Sequence, residues 1–130
     1  DIGFNYRLPN INAALGCAQL KKIDKFLDAK RKLFLKYKEV LDSIDGIKLF
    51  NEPEDSSSNY WLQTIILENG FENELEDILK NTNKKNIMTR PAWNLIHKLD
   101  MYLDSPKSPL PVSESLSKRI INIPSSAFLI

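Results

Sequence analysis

The sequence predicts an α+β domain in which a small, mainly antiparallel sheet is covered by helices and preceded by a long helical segment. Two observations carry this prediction. Apolar residues recur at helical spacing over the first third of the chain, and short β-branched or aromatic runs, separated by polar loops and further helices, follow Gly46. The element order helix, helix, strand, strand, helix, strand, loop, helix, strand is typical of this class. A length of 130 residues suits one hydrophobic core.

The helical segment is predicted to contain two helices. The first covers about residues 10–23, because Pro9 suits a first helical turn and Ile11, Ala14, Leu15 and Ala18 share one face. Small residues dominate that face, so we expect it to pack closely on a partner. The second is a long amphipathic helix from residue 24 that stops at Gly46, a residue suited to a helix C-cap.

The remainder is predicted to hold four strands, two helices and a long ordered loop. The strands are expected at residues 47–50, 60–68, 86–90 and 120–124, the second of them central and largely buried because it reads YWLQTIILE. The helices are expected near residues 72–81 and 113–119. The segment 92–111 follows Pro91 and holds three further prolines, Pro106, Pro109 and Pro111, so we expect a long ordered loop there.

Composition excludes several classes of function. Lys and Arg total 18 against 17 Asp and Glu, so no strong field draws nucleic acid or an anionic membrane surface. No apolar run reaches the span of a bilayer and no signal peptide is recognisable, so a soluble, cytoplasmic protein is expected. With a single Cys and a single His, Cys17 and His97, neither an intrachain disulfide nor a metal site is expected.

Two segments hold candidate binding residues. Asn5 and Arg7 precede a helix N-terminus, where an amide and a guanidinium suit a phosphate, although a solvated surface arginine is the commoner case. The stretch TRPAWNLIHKLDMY gathers four further candidates in a proline-bounded loop. In the alternative interpretation of this loop, its aromatic residues simply cover the sheet and the histidine makes a structural hydrogen bond. The candidates in the loop are Arg90, Trp93, His97 and Tyr102.

The residues alone do not complete an active site. The carboxylates fall mostly on solvent-facing helix positions, and no lysine lies in the apolar setting that Schiff-base chemistry needs. A regulatory or protein-binding α+β module is therefore an alternative to an enzyme.

Three motifs in order resemble the DegT/DnrJ/EryC1/StrS family of pyridoxal-phosphate-dependent sugar aminotransferases. The segment GFNYRLPNINAALGCAQL is similar to the family's G-x-N-Y-R-x-P-N-x-x-A-A-x-G-x-x-Q-L run, which follows the catalytic half. TRPAWNLIHKLDMY is similar to its C-terminal substrate loop, and RIINIPSS to its closing L-N-L-P-S motif. The loop and the ending look closest to the branch that makes 4-amino sugars for bacillosamine- and legionaminic-acid-type glycans.

The resemblance implies the C-terminal small domain of a fold type I aminotransferase. Residues 1–9 would form an extended arm that reaches the partner subunit of a homodimer, residues 10–46 linking helices, and residues 47–130 the small α+β domain. Asn5 would contact the phosphate of the pyridoxal phosphate cofactor and Arg7 would lie near the phosphates of the nucleotide-sugar. His97 would line the substrate pocket, with Arg90, Trp93 and Tyr102 as neighbours.

The activity implied is transfer of an amino group, usually from glutamate, to a 4-keto-6-deoxy nucleotide-sugar for surface-glycan biosynthesis. The family's Schiff-base lysine and its pyridinium-pairing aspartate belong to an upstream large domain that this chain lacks. We therefore expect a C-terminal part that is inactive alone. Within the family, a cofactor-dependent dehydratase is the alternative, since the missing lysine position separates the two reactions.

Overall fold

The computed structural model describes residues 7–130. In these residues the helices are α1 (Asn10–Leu20), α2 (Ile23–Leu41), α3 (Leu75–Lys84) and α4 (Pro111–Leu116). The strands are β1 (Ile47–Leu49), β2 (Gln63–Leu67), β3 (Arg90–Pro91) and β4 (Ile120–Ile123). Single turns of 3-10 helix cover Glu72–Glu74, Ile96–Lys98 and Asp100–Tyr102. The predicted order of helices and strands is confirmed.

The strands form one antiparallel sheet in the order β1-β2-β4-β3 over the described residues. β2 pairs with β1 through Ile65 opposite Leu49, and with β4 through Ile65 opposite Ile121. β3 continues the sheet by pairing Arg90 with Asn122. The predicted α+β class with a small antiparallel sheet is therefore confirmed.

The core lies between one face of the sheet and helices α2 and α3. Side chains of β2 alternate, and Gln63, Ile65 and Leu67 point into the core beside the fully buried Ile121. Phe34 of α2 stacks on Tyr60, with ring centroids 4.4 Å apart. These contacts make α2 part of the core. The partly buried residues that pack against this core are Tyr37, Leu41, Ile47, Leu75, Ile78, Leu79 and Ile123.

Lys30 ties α2 to the ends of the two central strands. Its ammonium donates hydrogen bonds to the carbonyl oxygens of Tyr60 (3.2 Å), Trp61 (3.0 Å) and Ser125 (2.6 Å). The hydroxyl of Tyr37, two turns further along α2, donates to Pro124 at 2.9 Å. The chain before β2 and the chain after β4 are therefore held against the same helix.

Helix α1 has no buried residue, and Cys17 on it is exposed. The prediction that its small-residue face packs on a partner stays a prediction, as does the division at residues 9 and 46. Among residues 7–130, no helix is both long enough and apolar enough to cross a membrane.

Several predicted boundaries are wrong, and the cause is local hydrogen bonding. β2 begins at Gln63 rather than residue 60, because Ser58 Oγ and Asn59 Oδ1 accept the N–H groups of Tyr60 and Trp61 and form turns instead. Tyr60 itself has a φ of 45°. The strand expected at residues 86–90 is reduced to Arg90–Pro91, since Asn86 turns the chain with a φ of 61°.

The helix ends differ from the predictions in a similar way. α2 ends at Leu41, five residues before Gly46, because a turn follows in which Ser43 Oγ donates to Val40. Gly46 lies instead in the left-handed conformation just before β1, with a φ of 81°. α1 ends at Leu20, α3 runs from Leu75 to Lys84 after a 3-10 turn, and α4 begins at Pro111 and ends at Leu116.

Candidate functional site

The face of the sheet that points away from α2 and α3 carries a mixed polar and apolar surface. Thr64 of β2 and Asn122 of β4 are register partners, and Thr64 Oγ1 donates to Asn122 Oδ1 at 3.0 Å. Arg90 of β3 is the next residue in the same cross-strand row. Because paired residues share one face, this row presents an amide and a guanidinium side by side.

Two tryptophans stand at the edge of this face. The rings of Trp61 and Trp93 are stacked with centroids 6.4 Å apart and planes inclined by 19°. They are 66% and 70% exposed, although tryptophan normally buries most of its surface. Together with Arg90 and Asn122 they line a cavity of about 530 Å³, completed by Leu62, Pro91, Ala92 and Asn94.

A neighbouring apolar groove of about 410 Å³ continues along the sheet. Trp93 and Asn122 line it as well, so groove and cavity share one wall. Its remaining walls are mostly aliphatic, including Leu116 of α4, and such walls suit an uncharged ring or methyl group. The other lining residues are Phe50, Leu62, Thr64, Ile66, Ala92 and Ile120.

Arg90 is held in place although β3 is only two residues long. The preceding residue, Thr89, is 5% exposed, and its hydroxyl lies 2.6 Å from that of Thr82. Asn83 Nδ2 donates to the carbonyl oxygen and the hydroxyl of Thr89, both at 3.0 Å. Helix α3 therefore fixes the backbone from which Arg90 projects onto the open face.

His97 and Tyr102 lie on the two successive 3-10 turns of the loop and line a separate cavity of about 370 Å³. The Nε2 atom of His97 is 3.1 Å from Glu114 Oε1 on α4, and Lys98 Nζ is 3.8 Å from the same oxygen. The hydrogen bond from His97, followed by the charge of Lys98, lowers the pKa of the Glu114 carboxyl. The remaining lining residues are Ile96, Ser105, Pro106, Lys107, Ser108 and Leu110.

The structure thus divides the predicted site residues into two pairs: Arg90 with Trp93, and His97 with Tyr102. Arg7 is exposed ahead of α1 and lines neither cavity. Asn5 and the rest of the arm up to residue 6 lie outside the described residues.

Sequence reasoning missed three residues of this region. Trp61 was expected inside a buried strand, Asn122 was not singled out within the last strand, and Glu114 was grouped with the solvating carboxylates. The alternation along β4 placed Asn122 on the open face, but its partners depend on the strand order. Glu114 meets His97 across 17 residues of chain, a pairing that no local pattern indicates.

Comparison with known proteins identifies the family. The family model described as DegT/DnrJ/EryC1/StrS aminotransferase family matches residues 1–129. The chain belongs to the DegT/DnrJ/EryC1/StrS aminotransferase family. The family resemblance predicted from the three motifs is therefore confirmed.

Individual relatives of this family agree. The chain is 36% identical over 131 residues to the "Putative pyridoxal phosphate-dependent aminotransferase EpsN" of Bacillus subtilis (strain 168), covering 98% of this chain and 33% of that protein. It is 34% identical over 125 residues to "GDP-perosamine synthase" of Vibrio cholerae, covering 95% and 34%. The chain therefore spans about a third of the length of the curated relatives it matches.

A solved family structure confirms the fold. "Helicobacter pylori PseC, aminotransferase involved in the biosynthesis of pseudoaminic acid" superposes with a TM-score of 0.87 at 26% identity, covering 100% of this chain and 35% of that one. These relatives do not single out the bacillosamine-type branch, which stays a prediction.

Pyridoxal phosphate is the cofactor in the name of one relative, and the aldehyde of that cofactor needs a lysine whose amine is free to react. Burial lowers the pKa of Lys30, which is the change that Schiff-base chemistry requires. Its ammonium, however, is occupied by three carbonyl oxygens. Lys30 is therefore held as a structural residue, and its ammonium is not available to the cofactor's aldehyde in this arrangement.

Proposed function

We propose that this chain is the C-terminal part of a pyridoxal-phosphate-dependent enzyme that transfers an amino group, usually from glutamate, to a 4-keto-6-deoxy nucleotide-sugar for surface-glycan biosynthesis. The observation that carries the proposal is the pair of exposed, stacked tryptophans beside Arg90 on the open face of the sheet. The names of the family relatives, two of which specify aminotransferases and one a GDP-sugar product, support it.

The chemistry of the first cavity suits a nucleotide. A flat indole surface stacks on a nucleobase, and each base–aromatic contact of this kind is worth about 1–3 kcal/mol. A guanidinium pairs with phosphate oxygens through two parallel hydrogen bonds, and Arg90 lies within the same cavity. The amide of Asn122 adds a polar group that can orient the ligand.

The second cavity suits the sugar. His97, Tyr102 and the hydroxyls of Ser105 and Ser108 offer donors and acceptors of the size that sugar hydroxyls need. In the proposal these residues orient the sugar, while the pyridoxal phosphate held by the large domain supplies the aldehyde that carries the amino group. Asn5 and Arg7 are proposed to complete the phosphate contacts of a partner subunit in a cytoplasmic homodimer.

The proposal is tested on the full-length protein with pyridoxal phosphate. We expect the absorbance of the bound cofactor to change on adding glutamate and to return on adding a UDP- or GDP-linked 4-keto-6-deoxy sugar. A change with glutamate that no keto sugar reverses would contradict the proposed acceptor. A failure to bind the cofactor as a covalent adduct would favour the dehydratase or the non-catalytic module.

A second test separates the nucleotide site from the chemistry. Trp61 and Trp93 are the two tryptophans of the chain, so fluorescence of the 130-residue chain reports on the first cavity. We expect UDP or GDP to quench this fluorescence. The Arg90→Met variant should raise the dissociation constant about tenfold, which is the size of a lost charged contact. Lys80→Met, on an exposed helix position, is the matched control. Equal affinities in the two variants would remove Arg90 from the proposal.

A further inference from the structure

Glu114 forms a hydrogen bond with the Nε2 atom of the His97 ring. The two side chains meet through Nε2 of His97 and Oε1 of Glu114 at 3.1 Å, and the His97 side chain is 15% exposed where that of Glu114 is 46% exposed. Glu114 lies on α4 and His97 on a 3-10 turn, so the contact joins two elements that share no backbone pairing. It restricts the rotation of a ring that lines the second cavity.

The chemistry of the pair decides which nitrogen remains for a ligand. The Glu114 carboxyl has a lowered pKa, because His97 donates to it and Lys98 lies nearby, so it is ionised near neutral pH and only accepts hydrogen bonds. Nε2 of His97 must then carry the hydrogen. In a neutral imidazole the other nitrogen, Nδ1, is an acceptor, and among the described residues no hydrogen bond to it is present.

We propose that Glu114 is a positioning residue that fixes His97 with Nε2–H on the carboxylate and leaves Nδ1 to accept a hydrogen bond from a hydroxyl of the bound sugar. This inference rests on the proposed function and names a residue that none of the site predictions included. The neighbouring groups agree with a polyol ligand, since Tyr102, Ser105 and Ser108 bring further hydroxyls to the same cavity. Lys107 lines it too, but its ammonium donates to Leu103 at 3.0 Å.

The test is a double-mutant cycle on the full-length protein. The dissociation constant is measured by calorimetry for a UDP-linked 4-amino-4,6-dideoxy-N-acetylhexosamine and for GDP-perosamine. We expect Glu114→Ala to weaken binding about tenfold, the size of one misplaced hydrogen bond, and to have no further effect when His97 is already alanine. Glu114→Gln keeps an acceptor oxygen at the same distance, so its affinity should stay within about threefold of the parent.

Two readouts distinguish positioning from a loss of fold. Circular dichroism and the urea unfolding midpoint of Glu114→Ala and Glu114→Gln should stay close to those of the parent, because a positioning role leaves the fold intact. Glu76→Ala, which removes an exposed carboxylate on α3, should leave both the unfolding midpoint and the sugar affinity unchanged.

The outcomes separate this inference from the proposed function. If Glu114→Ala weakens sugar binding equally with and without His97, or does not weaken it at all, Glu114 does not act through His97 and the inference is overturned. A parent protein that binds neither nucleotide-sugar would overturn the proposed function as well. The positioning role would be established if Glu114→Ala weakens sugar binding tenfold only in the protein that retains His97, and if Glu114→Gln keeps the affinity of the parent.

Discussion

Replacing Gly46 by alanine tests how the turn before β1 is built. Gly46 is buried, has a φ of 81°, and its carbonyl accepts the N–H of Glu68 at 2.9 Å. A Cβ at this position would lie 2.9 Å from both Cε1 and Cζ of Phe71. Gly70 offers a matched control, because its φ is 96° but a Cβ there meets no atom within 4 Å.

The expected free energies follow from these two geometries. An L-residue in the left-handed region costs about 1–2 kcal/mol, and alanine returns about 0.4–1 kcal/mol by restricting the unfolded chain. Gly70→Ala should therefore lower the free energy of unfolding by about 1 kcal/mol. Gly46→Ala adds the overlap with Phe71, for which overpacking costs about 1–3 kcal/mol. Phe71 is 43% exposed and can swing outward, so the lower half of that range is expected.

The assay is urea unfolding of the chain with both alanine variants, compared at unchanged m-value. We expect Gly46→Ala to be less stable than Gly70→Ala by about 1–2 kcal/mol. Trimming the ring with Phe71→Ala should erase that difference, because the added Cβ then has no ring to meet. Equal destabilisation by the two glycine substitutions would show that the overlap with Phe71 does not constrain the turn.

Three further perturbations test the core and its attachments. Ile121→Ala, at a position with 0% exposure, should cost about 2–5 kcal/mol in urea unfolding, whereas Val112→Ala at 69% exposure should stay within about 0.5 kcal/mol. Lys30→Met removes the donor shared by three carbonyl oxygens and should lower the free energy of unfolding by about 1–3 kcal/mol. Tryptophan fluorescence should also change, because the carbonyl of Trp61 loses a hydrogen bond, and unchanged fluorescence would contradict this. The pKa of the Glu52 carboxyl is lowered, first because Arg31 donates a hydrogen bond to it and then because the Ser58 N–H does. The ionised carboxylate therefore stabilises the folded chain above its ordinary pKa of 4.5, and this contribution is lost as the pH falls through the lowered pKa. Between about pH 6 and pH 3, the free energy of unfolding of Glu52→Gln should therefore fall less than that of the parent.

Local patterns predicted which elements the chain forms but not where each one ends. Hydrophobic spacing identified α2, because its buried face repeats every three to four residues, and a run of aromatic and β-branched residues identified β2. The start of β2 was misplaced since the turns made by Ser58 and Asn59 compete with strand pairing. A polar side chain that bonds to the backbone two residues away leaves little trace in hydropathy, so such boundaries need the structure.

The candidate site was only half visible in the sequence for a different physical reason. Arg90 and Trp93 lie three residues apart and could be grouped as one motif. Trp61 and Asn122 join them because β2 and β4 are neighbours, as the register of Gln63 opposite Ile123 shows. That pairing spans 60 residues of chain, and nothing in either segment specifies its partner strand. Convergence of this kind follows from the sheet order, which pattern reasoning left open.

Helix α4 explains why the four loop residues divide into two pairs. Leu116 lines the groove beside Trp93, whereas Glu114 contacts His97. Residues two apart on a helix point about 200° away from each other, so α4 must present these side chains to different sides. A ligand that touches both Trp93 and His97 therefore has to extend past the helix. In the proposed function a nucleotide-sugar meets this requirement, because its base and its sugar are separate groups joined by a diphosphate.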